Sequence, residues 1–562
     1  MVSTYTNPEY PYRKSPDQSA ASPVHHPVII IGGGPAGLAA AMDLALHGVA
    51  SVVLDDNNTV SVGSRAICIA KRTLEICDRY GCAEPMINKG VTWNLGRVYF
   101  HEDQIYEFNL LPESHHKVPA FINLQQYYFE EYMVERCMEM PLIDLRWLHK
   151  VAAVDSSTEQ ATVVVDTEDG PYTMTCDYLL VADGANSPIR DSLGLESKGQ
   201  VFEDRFLIAD IVMKADFPAE RRFWFDAPFH PGQSTLLHKQ ADNVWRIDFQ
   251  LGWDADPEEE KKIEKIRPRI EAMLGKETEW DLEWASVYTF RCRKMDSFIH
   301  QRVLFMGDAA HQVSPFGARG ANGALQGVEN LCWKLAAVLK GHAAPSLLTT
   351  YDTERQHGAS ENILHSTRAT DFMTPKNRTT RILRDTVLDL AREFPFARSL
   401  VNSGRLSTPC TYEDSQLNTA DSDVFSTAMR PGSACIDAPV TTAEGPAWLL
   451  NKLGDRFVLL VYGDGDTEQQ QALATAVREL HTSGIRADVL RVTRNTSPAA
   501  EPGEIGDPDG ILAQRYDMQP GTVYLIRPDQ HVAARWRKMD AELVIKAVHK
   551  ALGASMTQEQ PA

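Results

Sequence analysis

Gly32, Gly34 and Gly37 stand in the spacing Gly-x-Gly-x-x-Gly, and the residues around them decide what that spacing can do. A β-branched apolar run, Val28-Ile-Ile-Ile31, leads in, and an alanine-rich segment of high helix propensity follows as far as Gly48. Strand, tight turn and helix in that order make an anion site. The first glycine allows the turn, the second lets a phosphate approach the backbone, and the third lets the helix pack on the strand. Pro35 and Ala36 fill the helix start, whose free N–H groups and positive dipole end suit a pyrophosphate. A second strand, Ser51-Val-Val-Leu54, ends at Asp55 and Asp56, about 20 residues past the glycines, where an acid can accept the ribose hydroxyls of an adenosine. The competing reading is a glycine-rich turn that binds nothing.

Two later segments have the same strand-then-loop character. Ala182-Asp-Gly-Ala-Asn-Ser-Pro-Ile-Arg190 follows the buried strand Tyr178–Ala182, at the strand end where open α/β sheets bind ligands. Gly307-Asp308 and the loop to Gly323 follow the buried strand Val303–Met306 and precede a long helix, Gly323–Leu339. An aspartate directly after a strand can accept hydrogen bonds from a ribityl or ribose chain. A glycine-rich loop opening a helix can aim N–H groups at a negative oxygen. For either segment alone, an Asx-type turn with structural glycines explains the pattern as well.

The elements that position these loops require more than one core, because 562 residues exceed what one core holds. The fold class is α/β: a Rossmann-like dinucleotide domain interleaved with a β-sheet domain, then a C-terminal unit. The dinucleotide domain takes 27–93, 121–197 and 291–370, and the β-rich substrate domain takes 94–120 and 198–290. A helical layer and polar linker take 371–429. The order βαβ then ββα over 430–562 is that of a thioredoxin-like domain. Its first strand runs into Tyr462-Gly-Asp-Gly-Asp466 with no Cys-x-x-Cys, which excludes a dithiol role.

Composition narrows the partners. A net charge of -20 disfavours nucleic acid and anionic membranes. Nine cysteines without framework spacing suit a reducing, cytoplasmic setting. Residues 1–26, rich in Pro, Ser and Tyr, lack an apolar h-region and read as a disordered tail. No apolar run has membrane-spanning length. The pairs His25-His26 and His115-His116 have no matching ligand spacing, so no metal is expected.

Together the three glycine-bearing segments resemble the single-component FAD-dependent aromatic hydroxylases (class A flavoprotein monooxygenases) over residues 27 to about 370. Gly32, Gly34 and Gly37 match the family's ADP-binding glycines, and Asp55 its ribose acid, where glutamate is commoner. Arg65, after Ser64, matches an arginine that contacts the flavin, and Gln125 a glutamine near the cofactor. Asp183, Gly184 and Arg190 match the family's DG motif, thought to serve both FAD and NAD(P)H. Asp308, after Gly307, matches the aspartate that holds the ribityl chain. Pro315, Gly317, Gly320, Ala321 and Asn322 match the loop around the flavin ring. Trp245–Gln250, Val287–Phe290, Arg430-Pro-Gly-Ser and Tyr524–Asp529 look most like the 3-(3-hydroxyphenyl)propionate hydroxylase and phenol hydroxylase branch, which carries a thioredoxin-like tail.

The resemblance implies FAD as cofactor and NADPH or NADH as transient reductant. Reduced flavin would capture O₂ as a C4a-hydroperoxide, whose outer oxygen attacks an electron-rich ring carbon. The substrate would be a phenolic or other aromatic ring, with or without a carboxylated side chain, and a homodimer is a family expectation. Within the second domain's sheet, His238 and Gln240 share one strand face, and Arg246, Asp248 and Gln250 another, opposite Trp245, Ile247 and Phe249. Period two does not say which face looks at the flavin. His238, Gln240, Arg246, Asp248 and Tyr288 are the candidates to orient or deprotonate a phenol; the alternative makes them a solvated face. Two further functions compete with phenol hydroxylation: tailoring of a larger polyketide-like aromatic, and a flavin-binding sensor without turnover.

Overall fold

The computed structural model describes residues 2–215, 217–401, 406, 408–463, 467–494 and 503–554. Three large sheets carry the chain. The first has a parallel centre in the order Val303–Phe305, Tyr172–Val181, Val24–Ile31, Ser51–Leu54, Ile143–Arg146. Val28, Ile29 and Ile30 are completely buried, as an unbroken apolar run must be in a strand covered on both faces. Register decides where the loops go. Ile31 pairs with Leu54 and with Val181, and Val181 pairs with Phe305. The four strands therefore end level, and the loops beginning at Gly32, Asp55, Ala182 and Met306 open along one edge.

The second sheet has eight strands, ordered His311–Gln312, Asp281–Met295, Ser197–Val212, Val244–Gln250, Ser234–Lys239, Arg221–Phe225, Leu95–Phe100, Asp103–Asn109. Asp242 and Asn243, both with positive φ, make the turn between Ser234–Lys239 and Val244–Gln250. Trp245, Ile247 and Phe249 pack with Leu207, Ala209 and Ile211 against Ile266 and Ile270 of the helix Ile263–Leu274. That leaves the opposite, polar face turned toward the first sheet.

In the third sheet Phe457–Tyr462 lies between Ala487–Thr493, parallel, and Val523–Ile526, antiparallel, with Val532–Trp536 beyond. The helices Thr467–Thr482 and Ala541–Ala551 pack together on one face. Asp464-Gly465-Asp466, where a dithiol motif is missing from the sequence, lie outside the described residues, as do 402–405 and 407 of the expected linker. The rest of that linker has no regular element, yet Tyr412 and Leu417 are buried, and Tyr412 accepts from Arg355 Nη1 at 2.8 Å.

Three expectations change. Residues 2–23 are not a free tail. Tyr5 stacks on Tyr127 with ring centroids 4.1 Å apart, Tyr10 stacks on Trp147 at 4.6 Å, and Ser15 and Gln18 form a capping box. A five-residue strand, Arg221–Phe225, is inserted where the sequence suggested none. The long helix begins at Gly320, three residues earlier than expected. All nine cysteines are free thiols, and among the described residues no helix is long and apolar enough to cross a membrane.

Candidate active site

The glycine turn is held by backbone contact. A Cβ at Gly32 would lie 2.4 Å from the Ala182 carbonyl oxygen, and one at Gly37 only 1.9 Å from the Gly32 carbonyl oxygen. At Gly34 no atom of a described residue beyond its chain neighbours lies within 4 Å of that position. Gly34 is also the N-cap of Pro35–Leu46 and has no side-chain cap, so the first-turn N–H groups of Ala36 and Gly37 are available beside open space. Asp55 closes the turn from the next strand: its Oδ2 accepts from Gly33 N–H at 2.5 Å and its Oδ1 from Asn57 N–H at 2.8 Å. Burial raises the Asp55 pKa against those two bonds. Asp56 is exposed beside it.

Along the same edge, Asp183 Oδ2 accepts from Ile189 N–H at 3.1 Å, and Oδ1 is buried with no hydrogen-bond partner among the described residues. Burial pushes its pKa up. Gly184 continues the turn with open space around it. Arg190 is committed to backbone: it donates to the Ala309 carbonyl at 3.0 Å and to Ala185 and Asn186 at 3.3 and 3.2 Å. It ties the Asp183 loop to the Asp308 loop. Gly307 packs against Ala36, 3.0 Å from the position of its own absent Cβ.

Asp308, Arg65 and Tyr288 converge on one part of the cleft. The Arg65 guanidinium lies 6.0 Å from the Tyr288 ring centre. Burial pushes Asp308 up to about 6, with Arg65 pulling the other way. The carboxylate is open to solvent along the cleft although protein surrounds it at longer range, so water tempers the shift and the upward direction stands. Tyr288 is raised by burial and lowered by Arg65. Nearby, Gln125 donates to the Ala241 carbonyl at 3.1 Å and keeps a buried Oε1 without a partner among the described residues. Ser64 Oγ accepts from Gln126 N–H at 3.0 Å.

The loop from Pro315 through Gly317 runs into the helix Gly320–Leu339, so Gly320, Ala321 and Asn322 present first-turn N–H groups. The Asn322 side chain is fully occupied. Its Oδ1 accepts from Ala70 N–H at 2.9 Å and Thr73 Oγ1 at 2.6 Å, and its Nδ2 donates to the Cys68 and Ala318 carbonyls at 2.9 and 2.6 Å. It fastens the helix start to Cys68–Ala70. His311, within the same segment, is buried and pushed down to about 3 by that burial, which keeps it neutral.

The five sheet candidates divide. Arg246 grips Asp210 with two bonds, at 2.8 and 2.7 Å, and donates to the Arg65 carbonyl at 3.1 Å and to the Ser64 carbonyl. Gln240 donates to Asp210 at 3.2 Å. These two hold the 64–65 segment against the sheet and are positioning residues. His238 and Asp248 are different: His238 is buried and Asp248 part-buried, and His238 Nδ1 and Asp248 Oδ1 lack partners among the described residues. Burial drives the His238 pKa well down, and the arginines nearby add to this. Burial also raises Asp248 to about 6, with Arg246 opposing.

Beyond them lies a cavity of about 270 Å³. Val98, Tyr106, Phe108, Phe223, Phe225 and Phe316 form its walls, and Gly317 brings the loop before Gly320 to its edge. Its floor includes Arg221, which sequence reasoning missed. The signal was present as Arg221-Arg-Phe-Trp-Phe225, an aromatic alternation too short to stand out between two loops.

Residues 25–366 match the family described as FAD binding domain, and residues 432–551 match the HcaD C-terminal domain. A 6-methylpretetramide 4-monooxygenase of Streptomyces rimosus is 28% identical over 528 residues, covering 91% of each chain. A 3-(3-hydroxy-phenyl)propionate/3-hydroxycinnamic acid hydroxylase of Burkholderia cenocepacia (strain HI2424) is 26% identical over 525 residues, covering 90% of this chain and 93% of that one. Among solved structures, the flavin-dependent monooxygenase PieE in complex with FAD and substrate superposes with a TM-score of 0.79 at 22% identity, over 95% of this chain and all of that one. Aklavinone-11 hydroxylase with FAD and aklavinone gives a TM-score of 0.76 at 19% identity, over 94% of this chain and 99% of that one. These structural likenesses concern the fold.

Proposed function

The chain belongs to the FAD binding domain family, and from that premise we propose that it is an FAD- and NAD(P)H-dependent monooxygenase that hydroxylates a compact aromatic substrate. The residues fit the cofactor: Gly34 offers an open phosphate cradle, and Asp183 Oδ1 and Gln125 Oε1 are buried acceptors awaiting donors. Asp55 would take the adenosine ribose, Asp308 the ribityl chain, and the first turn of Gly320–Leu339 the electron-rich edge of the ring system. FAD, when bound, supplies the redox chemistry, taking a hydride from NAD(P)H and delivering electrons to O₂ so that one oxygen enters the ring.

The observation that carries the reading is the cavity of about 270 Å³, with aromatic walls, at the edge of the Phe316–Gly317 loop. A cavity of roughly 150 Å³ holds benzene, so there is room for one ring and a short side chain. The relative named for 6-methylpretetramide favours the larger class, and the cavity size favours the smaller. Asp248, part-buried and with a free acceptor, is the sheet carboxylate suited to accept a phenol's proton; it stands outside the cavity's lining, with Arg246 and Gln240 holding the sheet in place behind it. The C-terminal unit, read as thioredoxin-like on its strand order, has no Cys-x-x-Cys and so no dithiol role.

The deciding assay follows NADPH and NADH oxidation by the FAD-loaded protein with single-ring and polycyclic phenols, comparing hydroxylated product with peroxide. Substrate-stimulated oxidation coupled to product from single-ring phenols is expected. Oxidation unaffected by every phenol would leave a flavin protein without turnover. The cofactor assignment has its own test. Asp308 accepts ribityl hydrogen bonds best as a carboxylate, and burial raises its pKa above the ordinary 3.8. FAD retention should therefore weaken as acidification protonates it. Asp308→Asn should bind FAD about 10- to 100-fold more weakly at neutral pH, the range for hydrogen bonds to a charged group, and should lose the pH step. Equilibrium dialysis between pH 5 and 8 reads both; an unchanged pH profile in the variant would remove Asp308 from the site.

A further inference from the structure

Residues 2–23 precede residue 25, where the family match begins, yet they are fastened to three separate parts of the protein. Val2 N–H donates to the Leu282 carbonyl at 3.1 Å, and Thr4 N–H to Glu283 Oε1 at 3.2 Å. Both acceptors stand at the start of the substrate-domain strand Asp281–Met295. Tyr5 stacks on Tyr127, meets Tyr128 edge-on at 4.8 Å, and donates its hydroxyl to Glu131 Oε2 at 3.0 Å, all on the helix Gln126–Glu139. Asn7 Nδ2 donates to the Val60 and Ser61 carbonyls, each at 3.2 Å, and Tyr10 N–H donates to the Asn58 carbonyl at 2.7 Å.

Asn58, Val60 and Ser61 belong to the loop that leaves Ser51–Leu54 at Asp55 and ends at Cys68–Ala70. This loop contains no strand or helix of its own. Asp55 stands at one end, and Arg65, beside the Tyr288 ring, near the other. A loop without a hydrogen-bonded ladder keeps its place only through the groups that tie it down. Glu130 takes the Ser61 N–H at 2.6 Å, Gln126 takes the Ala66 N–H at 3.1 Å, and Arg246 donates to the Arg65 carbonyl at 3.1 Å. Gly63 rests on Trp284, where a Cβ would come within 2.4 Å of the indole nitrogen. The N-terminal segment takes the carbonyls of Asn58 and Val60, and its own anchors, Leu282 and Glu283, adjoin Trp284 in sequence. It therefore binds loop, helix and sheet together at the place where the three meet.

We propose that Asn7 and Tyr5 are positioning residues for the cofactor: through the loop from Asp55 to Arg65 they keep the cleft closed on FAD, so that the N-terminal segment sets how slowly FAD leaves. The proposal rests on the FAD reading for what is retained. FAD departs when the loop opens, so its release rate follows how often the loop is untied.

Full-length variants test this. Asn7→Ala removes the bonds to Val60 and Ser61. Tyr5→Ala removes the stacking and the Glu131 bond, whereas Tyr5→Phe keeps the stacking. Tyr12→Phe is the control on the same segment, since the Tyr12 hydroxyl reaches Gln18 and Asp169 instead of the loop. Hydrogen exchange over residues 57–66 is read in the FAD-free protein, and FAD release is read by flavin fluorescence on dilution. In Asn7→Ala and Tyr5→Ala both rates should rise about 10-fold, the scale of one or two lost neutral hydrogen bonds. Tyr5→Phe should lie nearer the wild type, and Tyr12→Phe should match it. Exchange in the core strand Tyr172–Val181 should stay at the wild-type level, which separates an untied loop from a general loss of stability. Should Tyr5→Ala not fold, Asn7→Ala decides.

Unchanged loop exchange in Asn7→Ala, faster loop exchange with FAD release unchanged, or a parallel rise in core exchange would each overturn the proposal. A wild type that takes up no FAD would sink the cofactor reading and the retention claim with it. FAD bound by every protein and released at one common rate would sink the retention claim alone.

Discussion

Gly37→Ala should yield a protein that retains no FAD through gel filtration, while Gly34→Ala should yield a stable protein that binds FAD poorly. The two glycines are three residues apart and fail for different reasons. A Cβ at Gly37 meets the Gly32 backbone carbonyl oxygen at 1.9 Å, and the position of a Cβ is fixed by its own backbone. No rotamer change relieves that contact; the helix Pro35–Leu46 must move off the strand it packs on. Gly32 in turn abuts the Ala182 carbonyl, so the displacement reaches the Asp183 loop. Overpacking of this kind costs about 1–3 kcal/mol or more in the empty protein. At Gly34 a methyl group has space in the empty turn, so unfolding should be unchanged within about 0.5 kcal/mol. The loss there appears only with the cofactor, because the methyl occupies the side from which a phosphate approaches. Thermal unfolding with and without FAD, and the flavin-to-protein ratio, separate the two. Equal FAD affinity in Gly34→Ala and wild type would move the pyrophosphate elsewhere.

That contrast also marks what the sequence makes legible. The dinucleotide turn is local: strand, glycines and helix are contiguous, so spacing alone determines their geometry. The level strand ends at Ile31, Leu54, Val181 and Phe305 follow from apolar runs that could be recognised one by one. Legibility stops where a partner lies far along the chain. Tyr5 and Tyr10 belong to a polar, proline-rich stretch that resembles a tail, and their stacking partners Tyr127 and Trp147 are more than a hundred residues away. Alternation along Val244–Gln250 was visible, but the side facing the cleft is decided by Ile266 and Ile270, which bury the other one. Arg221 and Arg222 are the same residue type side by side; only the placement of Glu220 distinguishes the paired one from the unpaired one. Asn322 and Arg190 sit inside recognisable motifs, yet their side chains are engaged by the protein's own groups, mostly backbone. A motif identifies the neighbourhood of a site more reliably than it identifies which atoms touch a ligand.

Arg527→Met should produce the largest loss of stability of any single polar substitution away from the cleft. The turn Arg527-Pro-Asp-Gln530 of the C-terminal unit reaches into the helices of the first unit, and its charges are enclosed there. Arg527 donates to Glu354 Oε1 at 2.7 Å and Oε2 at 3.1 Å, and to Asp529 Oδ1 at 2.9 Å. Lys334, on the helix that begins at Gly320, donates to the same Glu354 at 2.7 Å. All four side chains are at most 2% exposed. Two cations and two carboxylates balance; with Arg527 gone, a buried negative charge remains unmatched. Breaking such a set by removing one member costs about 3–5 kcal/mol. In a unit of this size that lowers the unfolding temperature by on the order of 10 °C. Arg430→Met is the control. Its pair with Glu413 at 2.9 Å is about half exposed on both sides, and such pairs contribute about 1 kcal/mol at most. The pH dependence gives the prediction a second handle. Arg527 holds Glu354 and Asp529 well below their ordinary values of 4.5 and 3.8. Both carboxylates therefore stabilise the fold above those values, and the contribution disappears as the pH falls below them. Wild type should lose stability steeply on acidification below about pH 4.5, and Arg527→Met, already deprived of the pairing, should lose less. Calorimetry from pH 3 to 7 measures both slopes. Parallel curves for the two proteins would mean that the cluster adds orientation between the units without adding stability, since a buried ion pair can break even against its own desolvation.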